Sequence, residues 1–165
     1  MRSGILRLAL LWLLVAVQAF SQSYEETEAF ILRKYSGTFG DSDLSITISV
    51  TFSEKCKATF SEVDNFLKLG RRSHIDKVID FSLIDPTRIK WEPNSHRDSG
   101  IEISATEDKN SISYVYRETE GYPPGSTRTF SSTELVFSLD ERVGHQLERA
   151  FGRLTKLCGG KSEIF

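Results

Sequence analysis

The chain contains three histidines, His74, His96 and His145, the side chains best suited to act as general bases near neutral pH. Hydrolytic catalysis needs such a base beside a nucleophile and an orienting acid. No serine lies in a Gly-x-Ser-x-Gly elbow, and no glycine-rich turn suited to a phosphate opens a helix. No pair of groups has catalytic spacing, so the sequence predicts that the protein is not an enzyme. A small enzyme with dispersed catalytic residues is kept as the last alternative.

Residues with the spacing of metal ligands are also missing from the sequence. It has no His-x-x-x-His and no Cys-x-x-Cys pattern, and Cys56 and Cys158 lie too far apart for the paired spacing of a zinc site. We therefore predict no metal and no cofactor.

A basic cluster is the first candidate binding site. Lys68, Arg71 and Arg72 fall in one predicted strand-to-strand loop, and Lys77 follows shortly after. Several cationic donors that converge on one anion would bind it, so these four residues are a candidate anion site. The alternative is a solvated charged loop without a specific ligand.

Aromatic residues form the second candidate. Tyr114 and Tyr116 share one face of a predicted strand, Tyr122 follows in a turn, and Trp91 precedes them on another strand. If that face is not the core face, it offers an amphipathic platform for a partner strand or peptide. The alternative is ordinary core packing.

The first 21 residues are predicted to be a secretory signal peptide. Arg2 and Arg7 precede an apolar run of ten residues, Leu8 to Val17, and Ala19 and Ser21 fit a cleavage site before Gln22. The run is short for a membrane-spanning helix, which needs ~20 apolar residues, although an uncleaved anchor stays an alternative. We predict an exported protein, periplasmic or extracellular, with no stable membrane span in residues 22–165.

Export affects whether the two cysteines are expected to be bonded or free. In an oxidising compartment Cys56 and Cys158 could form one disulfide across a very long loop. Two buried free thiols are the alternative, and the residues alone do not decide between them.

Two segments have helical patterns. In 23–35, Ser23 and Glu26 form a capping box, and Tyr24, Ile31 and Tyr35 share one face. Residues 140–158 carry one apolar stripe about four turns long, capped by Ser138 or Asp140 and ended by two glycines. The stripe residues are Val143, Leu147, Ala150, Phe151, Leu154 and Leu157.

The segment between these helices predicts about seven short strands, each bounded by turn residues. The clearest is 44–52, which alternates apolar and polar residues throughout. The others are predicted at 56–63, 76–83, 87–92, 100–105, 111–117 and 133–138. With no helix between them, the strands must pair as an antiparallel meander, which makes the chain α+β.

Length and charge limit the classes of function. Residues 22–165 suit a single domain. The full chain has 21 Lys and Arg against 23 Asp and Glu, and removing Arg2 and Arg7 leaves 19 against 23, a net charge of −4. An acidic balance argues against nucleic-acid binding, which needs a basic surface.

The order of elements resembles the pleckstrin-homology-like barrel, in which the last helix closes one open end of a curled sheet. Some segments also resemble a group of small exported bacterial proteins of unknown function: 79–86 (IDFSLIDP), 149–151 with Cys158, Gly159 and Gly160, and Phe165. The resemblance implies a single pleckstrin-like domain over 22–165, as a barrel or bent sheet with an added N-terminal helix and a C-terminal capping helix. It implies no catalytic residue.

These observations predict an exported, non-enzymatic binding domain. A protein or peptide partner would use a sheet edge or the tyrosine strand. The alternative is a carrier that holds a small apolar or lipid ligand inside the curled sheet.

Overall fold

A computed structural model describes residues 24–92, 99–106, 111–137 and 140–160 of the chain. The predicted signal peptide, residues 1–21, lies outside the described residues, as do Ser23 of the predicted capping box and His96. Within the described ranges, no helix is both long enough and apolar enough to cross a membrane.

The fold is α+β, with a helix at each end and antiparallel strands between them. Helix α1 covers residues 24–34, and helix α2 covers Glu141–Leu157. The strands are β1 (Gly37–Gly40), β2 (Leu44–Glu54), β3 (Lys57–Phe66), β4 (Arg71–Asp80), β5 (Ile84–Glu92), β6 (Ser99–Ala105), β7 (Ile112–Glu118), β8 (Ser126–Phe130) and β9 (Ser132–Phe137).

The strands form two antiparallel sheets, and only β1 to β4 follow one another as the predicted meander. The larger sheet has the order β1-β2-β3-β4-β7-β8, and the smaller has β5-β6-β9. A short 3-10 turn at Phe81–Leu83 takes β4 into β5, and Ser131 alone separates β8 from β9. The chain leaves the larger sheet after β4, returns to it at β7 and leaves it again after β8, so β4 pairs with β7 and β6 pairs with β9. These two pairings of non-consecutive strands correct the predicted simple meander.

The observed strands correct the sequence prediction in number and bounds. Nine strands are present in the described chain, and β1 and β8 are the two that the pattern missed. The predicted strand 76–83 is the end of β4 followed by the 3-10 turn, where the side chain of Asp80 accepts the amide of Ser82. Cys56 lies in the turn before β3, with a positive φ of 70°. Two open sheets in the described chain take the place of the single barrel or bent sheet that the sequence predicted, and no closed barrel is formed by these residues.

Both helices bury their apolar faces in the hydrophobic core, as their spacing predicts. Ile31 of α1 and Phe151 of α2 are fully buried. Four rings from different elements, those of Tyr35, Phe60, Phe81 and Phe151, contact one another with centroids 5.1–6.4 Å apart. These rings fill the space between the sheets and α2.

The ends of α2 follow from local sequence. Asp140 accepts the amides of Arg142 and Val143, so it is the N-cap, while Ser138 lies outside the described residues. At the other end, Gly159 has a φ of +82°, and the amide of Gly160 bonds the carbonyl of Thr155 (2.9 Å). This is the left-handed glycine termination expected of a Gly-Gly pair.

A disulfide joins Cys56 to Cys158, which decides between the two cysteine interpretations. It links the β2–β3 turn to the end of α2 across 102 residues of sequence. The hydroxyl of Tyr24 on α1 accepts the amide of Cys56 (2.8 Å), so α1, the β2–β3 turn and α2 meet at this point. Such a bond is consistent with an oxidising compartment outside the cytoplasm.

Candidate binding edge

Strand β8 is one of the two terminal strands of the larger sheet. It pairs with β7 on one side, and no strand of the described chain pairs with its other side. Its three central residues, Thr127, Arg128 and Thr129, are exposed. An unpaired strand edge presents backbone donors and acceptors, so β8 can accept a further strand.

The predicted tyrosine cluster lies beside this edge. The register puts Tyr114 opposite Lys77 and Ile112 opposite Phe130, so the tyrosine face of β7 is the inner face of the sheet. Tyr116 is only 6% exposed. The tyrosines are therefore partly core residues, as the packing alternative held, and do not form a free outer platform.

The aromatic cluster nevertheless reaches the surface. The ring of Tyr122 stacks on that of Tyr116, with centroids 4.0 Å apart and planes 4° from parallel. The guanidinium of Arg128 lies over the Tyr122 ring of this pair, 4.9 Å from its centroid. Burial, and then the neighbouring Tyr122, raise the pKa of Tyr116, so its hydroxyl stays protonated at neutral pH. The stack thus supports a cation on the exposed strand.

A polar network anchors the inner side of the same region. The Nζ of Lys77 donates to Glu62 Oε2 (2.6 Å) and to the carbonyl of Glu134 on β9 (2.8 Å). The hydroxyl of Tyr114 lies 2.5 Å from that of Thr133, also on β9. The contacts of Lys77 and Tyr114 with β9 connect the two sheets, and one of them occupies a backbone carbonyl of β9.

Glu62 also influences a buried tyrosine. Burial, followed by the negative charge of Glu62, raises the pKa of Tyr35 well above its ordinary value. The hydroxyl of Tyr35 is therefore neutral at any physiological pH.

The opposite face of the larger sheet carries a Ser, His and Asp cluster. Asp76 Oδ1 accepts from Ser61 Oγ and lies 3.2 Å from His74 Nε2, while Arg117 Nε donates to Oδ2 (2.8 Å). In a hydrolytic triad the histidine lies between serine and aspartate, so that it can take the serine proton. Here the aspartate is the central residue, so the cluster does not activate Ser61 as a nucleophile.

Burial alone would raise the pKa of Asp76, which is 6% exposed. Hydrogen bonds donated by Ser61 and Arg117 lower the pKa of Asp76, and electrostatic attraction to His74 and Arg117 lowers it further. Together these effects outweigh burial, so the pKa of Asp76 is below its usual value. The carboxylate is ionised at neutral pH and acts as a structural acceptor between β3, β4 and β7.

Trp91 lies on β5 in the smaller sheet, where its ring packs on His145 of α2 with centroids 4.8 Å apart. In the described chain its ring contact is with this histidine and not with a tyrosine. Nδ1 of His145 is 3.0 Å from Glu148 Oε2, one helical turn away. The structure therefore brings Tyr114, Tyr116 and Tyr122 together and leaves Trp91 in a different surface region.

The four residues of the candidate anion site are divided between a turn and strand β4. Turn 67–70 joins β3 to β4, so Arg71 and Arg72 belong to β4 and not to the predicted loop. Lys68 pairs with Asp43 (2.7 Å), Arg71 with Glu120, and Arg72 with Glu118 (3.8 Å). Lys77 points to the inner side of the sheet. Each of the four cations therefore lies beside a different carboxylate. Anion binding by these residues stays a prediction.

Three surface grooves lie near the helices. One groove of about 390 Å³ lies beside Tyr24 and the β2–β3 turn. A second, of about 400 Å³, lies between α1 and α2 beside Phe30 and Ala150. A third, of about 540 Å³, lies at the start of α2 beside His145. Within the described ranges, no group of three His, Cys, Asp or Glu side chains is arranged to hold a metal ion.

Strand β8 and Arg128 were not predicted from the sequence. The segment Ser126–Phe130 reads Ser-Thr-Arg-Thr-Phe and has no apolar alternation, since neither face of its middle is buried. The available signal was the turn before it, Tyr122 to Gly125, which follows a strongly patterned strand and so permits a hairpin.

No protein family, no curated protein and no solved structure matches the chain.

Proposed function

We propose that this protein is an exported, non-enzymatic binding domain that recognises an extended protein or peptide segment by adding it as a strand to β8. The observation that carries the proposal is the unpaired, exposed edge of β8 beside the tyrosine cluster. Backbone hydrogen bonds along such an edge supply affinity, and side chains on either face supply selectivity.

The other sheet edges suit this role less well. β1 has only four residues and a glycine at each end, which gives few side chains for selectivity. α2 packs across β5. On β9 the carbonyl of Glu134 already accepts from Lys77. β8 has five residues, three of them exposed, and rests on packed aromatic rings.

The carrier alternative is supported less well, because the four core rings fill the space where an apolar ligand would lie. An enzymatic role is disfavoured by the arrangement of Ser61, His74 and Asp76, in which the histidine is not placed to take the serine proton.

The pleckstrin-like plan and the exported location belong to the same proposal. The two antiparallel sheets, with the C-terminal helix packed across β5, support a single domain of that layout. The Cys56–Cys158 disulfide supports a periplasmic or extracellular location for residues 22–165.

Photo-crosslinking tests the binding edge. A photoreactive amino acid replaces Thr127 on β8 or, as the matched control, Thr38 on β1; both are exposed threonines on terminal strands of one sheet. Each protein is irradiated with peptides selected on residues 22–165 from a random display library. We expect crosslinks from position 127 and none above background from position 38. Equal yields, or crosslinks from position 38 alone, would overturn strand addition at β8.

A further inference from the structure

We propose that the segment that adds to β8 is acidic and pairs a carboxylate with Arg128, and that the same arginine prevents β8 from pairing with a second copy of the chain. The inference rests on the proposed function and names the chemistry of its partner.

Arg128 is the one residue at the centre of β8 that carries a charge. It is exposed, and its described contact is the face of the Tyr122 ring at 4.9 Å. That ring is itself stacked on Tyr116. An aromatic surface under a guanidinium restricts its motion and leaves the N–H groups at its rim able to bind. The arginine is therefore held in position before a partner arrives.

Three other exposed cations, in β4 and in the turn before it, differ from Arg128. Lys68, Arg71 and Arg72 each lie beside a carboxylate of this chain. Among the described residues, no carboxylate forms an ion pair with Arg128. A carboxylate supplied from outside would therefore not compete with an internal partner at this position.

The centre of the strand makes self-pairing unfavourable. Ser126–Phe130 has five residues, and Arg128 is the third. If two copies of β8 paired in antiparallel orientation over all five residues, Arg128 of one copy would lie directly opposite Arg128 of the other. Like charges directly opposite each other on paired strands are destabilising, and charged side chains commonly protect edge strands in this way.

With an acidic strand, the repulsion at Arg128 is replaced by attraction between opposite charges. A residue opposite Arg128 on an added strand lies on the same face, with Cβ atoms about 5 Å apart. A glutamate or aspartate there can accept two N–H groups of the guanidinium. The edge of β8 thus disfavours pairing with β8 of a second copy. It favours pairing with a segment that has one acidic residue among β-forming neighbours.

Three synthetic peptides test the charge preference. They have the sequence TVXVT, with X as glutamate, glutamine or lysine, and are titrated into ¹⁵N-labelled residues 22–165 while the β8 amide shifts are followed. We expect the glutamate peptide to bind about threefold more tightly than glutamine, and about tenfold more tightly than lysine. The preference should fall as salt is added, because exposed charges are screened.

A charge reversal supplies the matched control. In Arg128→Glu the order of the three peptides should invert, so that the lysine peptide binds best. Lys90→Glu makes the same change in net charge on an exposed position of β5 and should leave the original order. Sedimentation of the unmodified protein should show a monomer.

The outcomes separate this inference from the proposed function. If all three peptides bind β8 equally, or if Arg128→Glu keeps the original order, the acidic preference is overturned while strand addition stands. If no peptide shifts β8 amides, both are overturned. A dimer of the unmodified protein held through β8 would overturn the argument against self-pairing.

Discussion

At the residue scale, Asp76 shows how one ionised side chain can join three strands. It is largely buried on a sheet face, and its carboxylate accepts from Ser61 on β3 and Arg117 on β7. A charge with so little access to water depends on these donors, and removal of one leaves the carboxylate partly unsatisfied.

Ser61→Ala should destabilise the protein by about 2 kcal/mol at pH 7, because a hydrogen bond to a charged group is lost. The pKa of Asp76 in the folded protein is below the usual value. Its ionised form therefore stabilises the fold above the unfolded value of ~3.9, and this contribution is lost as the pH falls through the folded pKa. Urea unfolding at pH 7 and pH 3 should show the penalty shrinking at the lower pH.

Ser49→Ala is the matched control, since Ser49 is the exposed neighbour of Ser61 across β2 and β3. It should change the free energy of unfolding little at either pH. A Ser61→Ala penalty that is the same at both pH values would contradict the account of Asp76.

Lys77 and Glu62 form an ion pair on the inner side of the sheet, with side chains only 8% and 17% exposed. Lys77→Met leaves Glu62 without its cation in a largely buried position, so we expect a loss of about 3 kcal/mol in urea unfolding. Lys68→Met removes the exposed pair with Asp43 and should cost less than ~1 kcal/mol. Equal losses in the two variants would show that the inner pair is not structurally important.

At the element scale, α2 is held by a stripe of buried side chains. Phe151 is fully buried among three other rings, so Phe151→Ala should lower the free energy of unfolding by ~3–5 kcal/mol. Lys156→Ala, on the exposed side of the same helix, should have little effect. A Phe151→Ala loss well below ~1 kcal/mol in urea unfolding would contradict this packing.

Elements with a buried face were predictable from their periodicity. Strand β2 and helix α2 alternate or repeat their apolar residues because one side of each meets the core. β8 lacks such a side at its centre, and β1 is a short strand between two glycines. Their pairing depends on the neighbouring strand, which local sequence does not report.

The candidate site could be predicted only in part, because local sequence does not report which distant residues come into contact. Tyr114, Tyr116 and Tyr122 were grouped from sequence spacing, and the structure brings their rings together. Trp91 was grouped with them although it belongs to the other sheet. The carboxylates that pair with Lys68, Arg71 and Arg72 come from distant parts of the chain, so spacing does not reveal which cations are left for a partner.

At the scale of the whole molecule, the disulfide connects the β2–β3 turn to the end of the C-terminal helix. It spans 102 residues, and the chain-entropy estimate for a loop of that length is ~4.7 kcal/mol. The double variant Cys56→Ser, Cys158→Ser should therefore unfold at a clearly lower temperature than the unmodified protein. Reductant should lower the Tm of the unmodified protein and leave that of the variant unchanged. A Tm insensitive to reductant in both proteins would contradict a stabilising bond.

Hydrogen exchange tests the central claim, strand addition at β8, most directly. Residues 22–165 are exchanged with and without the glutamate peptide TVEVT, and the segments 126–130 and 37–40 are compared by mass. Because an added strand bonds the free backbone groups of β8, exchange in 126–130 should slow while 37–40 stays unchanged. Unchanged exchange in 126–130, or equal slowing at both terminal strands, would contradict the account.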